Sequence, residues 1–341
     1  MLARPQAARS AWRSAQRALL SSTAARRTHP TQPLDPLPPR PDSTPATPPP
    51  SHPSAAPNAS AGPSASSSAG TTHFGFRDVP EQMKESLVKG VFSSVASSYD
   101  VMNDAMSLGI HRLWKDHYVS KLDPHGGLKC LDVAGGTGDI AMRILDHARE
   151  KYGDRETSVS MLDINPEMLE EGKKRFAKTM YHNTPQVSFH LGNAEHLEQF
   201  ADNSFDLYTI AFGIRNCTHP DKVVEEAYRV LKPGGVLSVL EFSNVPNPIL
   251  SQAYDLWSFN VIPALGHILA SDRDSYAYLV ESIRRFYKAP EFAEVIRKAG
   301  FQVAQNEPWE PLTFGIAAIH TGVKVKQCIS HLAPASRFPL Q

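Results

Sequence analysis

The sequence predicts an α/β domain built on a doubly wound, mostly parallel, seven-stranded sheet whose last strand is antiparallel. Two observations carry this. From residue 128 onward, short apolar runs alternate with segments of helical spacing, the pattern of repeated β–α units. Near the C-terminus two strand-like runs follow one another without a helix between them, so the last turns back as a hairpin.

The elements follow in order. LKCLDVA (128–134) is the first strand, and DIAMRILDHAREKY (139–152) the helix after it. SVSMLDI (158–164) is the second strand. NPEMLEEGKKRFAKTM (165–180) then opens as a helix with Asn165 as N-cap and Pro166 at the first position. QVSFHLG (186–192) and SFDLYTIAFGI (204–214) are the third and fourth strands. HPDKVVEEAYRVLKPGG (219–235) is a helix closed by Pro233 and the Gly234–Gly235 pair, and GVLSVLEFS (235–243) is the fifth strand. PEFAEVIRKAG (290–300) is the last helix; FQVAQNE (301–307) and FGIAAIHTGVKV (314–325) are the last strands.

Composition divides the chain. Residues 1–34 hold Arg4, Arg9, Arg13, Arg17, Arg26 and Arg27 and no acid, the make-up of a mitochondrial transit peptide. Residues 35–72 are rich in Pro, Ser and Ala and have too few apolar side chains to offset their ordering entropy, so they read as a disordered linker. The folded domain is expected at 73–325, with a substrate-side insertion at 248–288 and an unstructured extension at 326–341. Of the chain's 35 basic and 35 acidic residues, 28 and 33 lie beyond residue 72, a net charge of −5 that disfavours nucleic acid as a partner. Cys130, Cys217 and Cys328 lack metal-ligand spacing and are too few for a disulfide framework, so no metal is expected.

Ligands of such sheets bind beyond the carboxyl ends of the strands. The first strand runs into AGGTGD, where Gly136 and Thr137 form a loop that lets a ligand approach the backbone. GTGDIA matches G-x-G-x-x-A, so a nicotinamide dinucleotide contends. The context favours another ligand. Asp132, placed in the turn region before the glycines, would repel a pyrophosphate and suits an amine or sulfonium. Asp163 ends the second strand, where a carboxylate accepts from both ribose hydroxyls. Asn193 and Ala194, in GNAEHL after the third strand, are placed to meet an adenine edge. A ribose and adenine without phosphate, beside a positive charge, describe S-adenosyl-L-methionine.

YDVMNDAMSLGIHRLW (99–114), LDVAGGTGD (131–139), FGIRN (212–216) and RVLKPGGVLSVLEFS (229–243) resemble the signatures of the ubiquinone/menaquinone biosynthesis C-methyltransferase family, and SFNVIPALG and DSYAYLVESIRRF resemble its later segments. The likeness spans residues 91–325. It implies a class I, Rossmann-like S-adenosylmethionine-dependent methyltransferase that methylates a ring carbon of a polyprenyl benzoquinol or naphthoquinol. Mitochondrial targeting favours the methoxy-benzoquinol of ubiquinone biosynthesis. The resemblance further implies peripheral attachment to the matrix side of the inner membrane, association with other ubiquinone-biosynthesis proteins, and a homodimer as a further expectation. Two positions depart from the common pattern: Ala134 replaces the first glycine of the general methyltransferase loop, as in the family, and Ala211 stands where bacterial relatives tend to have serine.

Ring methylation needs a group to accept a proton and donors for a developing phenolate. Arg215 is never a base, but its charge suits a phenolate; pairing with a structural acid is the alternative. Asn216 orients a ring oxygen or a water, or caps a turn. Tyr99 touches substrate or packs in the core. Glu241 ends the fifth strand near the pocket, or makes a structural hydrogen bond. His111 and Trp114, three apart on one helix face, are read as core packing. The apolar stretch 254–270 is a buried helix pair or an entrance for a prenyl tail.

Overall fold

The structure, a computed structural model, describes residues 70–96, 99–264 and 273–325. The expected transit peptide, all but the last three residues of the expected linker, part of the insertion and the C-terminal extension lie outside the described residues.

The described chain opens with a hairpin, β1 (Thr71–Phe74) and β2 (Arg77–Pro80), which begins two residues before the boundary read from composition. Three helices follow: α1 (Glu81–Val95), α2 (Tyr99–Ser107) and α3 (Ile110–Leu122). Then come β3 (Lys129–Val133), α4 (Asp139–Tyr152), β4 (Ser158–Asp163), α5 (Pro166–Phe176), β5 (Val187–Leu191) and β6 (Phe205–Ala211). A 3₁₀ turn (Ile214–Asn216) leads to α6 (Pro220–Val230) and β7 (Leu231–Phe242). The insertion supplies α7 (Pro248–Leu256), a π-helical turn (Trp257–Val261) and α8 (Arg273–Arg285). The chain ends with α9 (Ala289–Lys298), β8 (Gln302–Val303), β9 (Trp309–Leu312) and β10 (Ala317–Val323).

The sheet runs β5-β4-β3-β6-β7-β10-β8, with β9 beside β10 on the edge that it shares with β8. β5 through β7 are mutually parallel, and β10 is antiparallel to β7. The strand inventory thus exceeds the seven expected by β9, whose Pro311 suits an edge and hides the strand in the sequence. Residues 231–235 belong to β7, not to the preceding helix, because Leu231 already has extended backbone.

Alternation along the strands builds two cores. Cys130, Leu207, Val236 and Leu240 face α3 and α4, while Leu131, Val133, Ile210 and Val239 face α6 and α9. Helix registers match: Ile140, Ile144 and Leu145 of α4 fill the first core, and Val223, Val224 and Ala227 of α6 the second. α5 starts as its sequence dictates, with Asn165 Oδ1 accepting from the Glu167 and Met168 N–H groups and Pro166 at the first position. These cores fix the strand ends, and so fix what stands on them.

Candidate active site

A cavity of about 390 Å³ opens over the carboxyl ends of β3 to β6 and is roofed by α1, α2, α3 and α8. Asp132, Gly136, Thr137, Asp163, Asn193 and Ala194 all line it, and so do Arg215 and Asn216. Residues read from four separate strand ends therefore meet in one place.

Asp132 lies within β3, not in the turn as its position before the glycines suggested. Being two residues on from Cys130, it points to the α3–α4 face. The register sets it opposite Thr209, whose hydroxyl donates to Oδ1 at 2.7 Å. Oδ2 is buried with no hydrogen-bond partner among the described residues. Burial pushes the carboxyl up to about 7, against the smaller pulls of Thr209 and of the Ala141 backbone N–H in the first turn of α4.

The loop after β3 is left-handed at Ala134 (φ 51°), Gly136 (φ 51°) and Gly138 (φ 83°). A Cβ at Gly213 would stand 2.4 Å from the Ala134 Cβ, so the glycine of FGIRN makes room for the alanine that replaces a loop glycine. A Cβ at Gly138 would meet the Phe176 ring at 2.6 Å. Asp163 fastens this loop: Oδ2 accepts from the Gly136 N–H at 2.8 Å and Oδ1 from the Asn165 N–H at 2.9 Å. Burial raises its pKa to about 6, and the backbone N–H groups of Asn165, Gly136 and Ile164 oppose that rise. A carboxylate has about four lone-pair sites, so capacity for a further donor remains. Asn193 is held at both ends, its Oδ1 accepting from the Glu195 N–H (2.9 Å) and its Nδ2 donating to Glu85 on α1 (3.2 Å). Ala194 is buried beside it.

Arg215 sits in the 3₁₀ turn, buried against Glu241. Its Nη1 donates to Glu241 Oε1 at 2.9 Å and to the Phe212 carbonyl at 2.5 Å, and its Nε to Ser282 at 3.3 Å. The guanidinium also lies 5.2 Å from the centre of the Phe242 ring. Burial raises the Glu241 pKa, and Arg215 offsets part of that rise. Arg215 is thus a cavity-wall residue and half of a buried ion pair, the structural alternative read from the sequence. Asn216 Oδ1 accepts from the Tyr278 hydroxyl at 3.0 Å. Tyr99 is the first residue of α2, and its side chain lies outside the described residues.

The sequence reading missed two features. α1 closes the site from above: buried Lys84 donates to the Cys217 carbonyl at 2.9 Å, joining the helix to the segment after Arg215. His111 and Trp114 are buried, as core residues are, yet both also line the cavity. Trp114 donates to Thr313 Oγ1 at 2.8 Å and lies 6.2 Å from the rings of both Phe212 and Phe242. The signal was present in MSLGIHRLW, where a serine stands four residues before the histidine and seven before the tryptophan.

Comparison with known proteins fits this architecture. The ubiE/COQ5 methyltransferase family matches residues 80–324. The 2-methoxy-6-polyprenyl-1,4-benzoquinol methylase, mitochondrial, of Schizosaccharomyces pombe is 60% identical over 257 residues, 74% of this chain and 84% of that protein. Its namesake in Caenorhabditis elegans is 55% identical over 256 residues, 75% of this chain and 86% of that one. The ubiquinone/menaquinone biosynthesis C-methyltransferase UbiE of Roseobacter denitrificans is 53% identical over 255 residues, covering 75% and 97%. With a match that spans the whole sheet and the site on its strand ends, the chain belongs to the ubiE/COQ5 methyltransferase family.

Proposed function

We propose that this chain transfers a methyl group from S-adenosylmethionine to a ring carbon of a 2-methoxy-6-polyprenyl-1,4-benzoquinol, a step of ubiquinone biosynthesis. The observation that carries the reading is Asp132. A buried carboxylate oxygen without a partner, on the wall of a cavity, calls for a positively charged or donating ligand group. An amino acid ammonium or a sulfonium meets that need, and a pyrophosphate does not. Asp163, with lone pairs to spare, suits ribose hydroxyls; the Ala194 backbone suits an adenine edge. When bound, the cofactor supplies an electrophilic methyl group.

The chain's own residues supply the rest. Trp114, Phe212 and Phe242 form an aromatic cluster against which a planar quinol can lie. Arg215, fixed by Glu241 and Ser282, holds a positive charge beside that cluster, where a ring oxygen gaining phenolate character is stabilised. Asn216, oriented by Tyr278, offers its amide to the same oxygen. The cavity, roofed by α1, α2, α3 and α8, limits water beside the reacting carbon.

The relatives' names support a mitochondrial location, and a polyprenyl substrate argues for work at the matrix face of the inner membrane. No described helix is long and apolar enough to cross a membrane, so attachment would be peripheral. Leu108, on the cavity wall, and Phe314, next to the cavity-lining Thr313, are 73% and 74% exposed and both have left-handed backbone, φ 51° and 58°. Strained, solvent-facing apolar side chains gain nothing within the chain. They suit a bilayer at the mouth by which a prenyl tail enters. Association with other ubiquinone-biosynthesis proteins, and with a second copy, belongs to the same reading.

Calorimetry of the full chain separates this cofactor from a dinucleotide. Saturable one-to-one binding of S-adenosylmethionine, at least a hundredfold tighter than NAD⁺, is the expected result. Equal or tighter binding of NAD⁺ would overturn it.

A further inference from the structure

We infer that His111 is the base that takes the ring proton when the newly methylated carbon returns to aromaticity, acting through Nε2. The inference rests on the ring-methylation reading above and names a residue that it leaves unassigned.

The geometry fixes the tautomer. Ser107 Oγ lies 2.7 Å from the Asn103 carbonyl and 2.7 Å from His111 Nδ1. A hydroxyl has one proton, and a carbonyl can only accept, so the proton goes to Asn103. The hydroxyl's lone pair then faces Nδ1, which must carry the hydrogen. Nε2 is left with its lone pair, and His111 is a residue of the cavity wall. Asp104 Oδ1 stands 3.8 Å from Nε2, beyond hydrogen-bond reach but close enough to favour the imidazolium once a proton arrives. That carboxylate is already gripped by both Arg112 donors, at 2.6 and 2.7 Å, so it does not swing in to quench the base.

His111 also stands beside the reacting region. Trp114, less than one turn further along α3, touches Phe212 and Phe242, and Arg215 lies on that same Phe242. An arginine for the ring oxygen and a neutral imidazole for the ring carbon thus flank one aromatic cluster.

The charged groups around His111 are Asp104 on α2, Arg112 and Lys115 on α3, and Asp139 on α4, to which Lys115 is bonded at 2.8 Å. Burial first, then Lys115, pushes the imidazole down to about 4, so it is neutral at physiological pH. Such a base is mismatched to a quinol hydroxyl: against a phenol near 10, transfer is uphill by about a millionfold. It is suited to the other proton. The reacting quinol is its phenolate, the hydroxyl proton having left to water; the ring carbon bonds the methyl group as the phenolate oxygen becomes a carbonyl, and the old methyl–sulfur pair stays on sulfur. That carbon is now tetrahedral, bearing both hydrogen and methyl, next to a carbonyl. Nε2 takes the hydrogen as a proton, the C–H pair re-enters the ring, and the oxygen regains its electrons. The imidazolium then releases its proton to water.

Two measurements test this. Nitrogen-15 NMR of the imidazoles in the full chain should show His111 protonated at Nδ1 and bare at Nε2; the opposite tautomer overturns the proposal, and this needs no variant. The second compares wild type with His111→Asn on quinol carrying deuterium at the acceptor carbon. Wild type should show an isotope effect near unity. The variant should turn over about 10²–10⁴-fold slower, with an isotope effect above roughly 2, partial rescue by added imidazole, and S-adenosylmethionine affinity within about threefold of wild type. A slow variant with no isotope effect makes His111 structural and overturns the proposal, as does unchanged turnover. A wild type that puts no methyl on the ring overturns the underlying reading instead.

Discussion

Asp132 and Asp163 hold their carboxyls near 7 and 6, above the value of about 4 for a free aspartate. The fold therefore binds protons that the unfolded chain has released. Their contribution to stability is complete below about pH 4 and is lost as pH rises through 6 to 7. A cation bound at Asp132 favours the ionised form, so the sign for ligand binding is the reverse: S-adenosylmethionine should bind more tightly at pH 8 than at pH 5.5, releasing a proton below pH 7. Calorimetry in buffers of different ionisation enthalpy reads both. Asp132→Asn should flatten that dependence and weaken binding at least tenfold, yet raise the melting temperature of the protein without cofactor by at least about 2 °C. A lower melting temperature would mean that the carboxylate serves the fold. Arg215 tests the other buried charge. Arg215→Ala strands Glu241 and should lose about 3–5 kcal/mol; adding Glu241→Leu should recover much of that stability but not the turnover. Recovery of turnover would remove Arg215 from the chemistry. The loop glycines and Asp163 were legible in the sequence because each sits at the end of an apolar run. The placement of Asp132 was not, because its partner Thr209 belongs to a strand 77 residues away.

At the level of elements, the β–α alternation could be read directly, since both faces of the sheet are covered and each strand is a plain apolar run. β1, β2 and β9 escaped because short edge strands carry little apolar pattern. α2 and α3 were seen as a signature block of the kind that folds over a cofactor, but α1 was not read as part of that roof, since what it covers is defined by strands that come later in the chain. The rim of that roof makes a separate prediction. Leu108→Gly with Phe314→Gly relieves two left-handed residues and should keep or raise the melting temperature. The same pair should bind vesicles of phosphatidylcholine with one-fifth anionic lipid at least threefold more weakly than wild type, while methylating a short-tailed quinol at the normal rate. Unchanged vesicle binding would exclude these two side chains as bilayer contacts.

In the whole molecule, delivery and chemistry are expected of separate segments. The arginine-rich start and the proline-rich linker should be needed for import and not for catalysis. A chain beginning at Gly70, just before β1, should match the full chain in turnover and fail to enter mitochondria; lost turnover would tie the N-terminal segment to the site. The chemistry itself reduces to one claim, that methyl moves to carbon. Purified full-length chain, S-adenosylmethionine labelled with carbon-13 in its methyl group, and the reduced methoxy-polyprenyl benzoquinol are incubated together, and the product is examined by mass spectrometry and carbon NMR. The account predicts one added methyl, bonded to the ring carbon with loss of the ring proton, and none when the oxidised quinone replaces the quinol. Label on oxygen, or no label in the quinol at all, would contradict it.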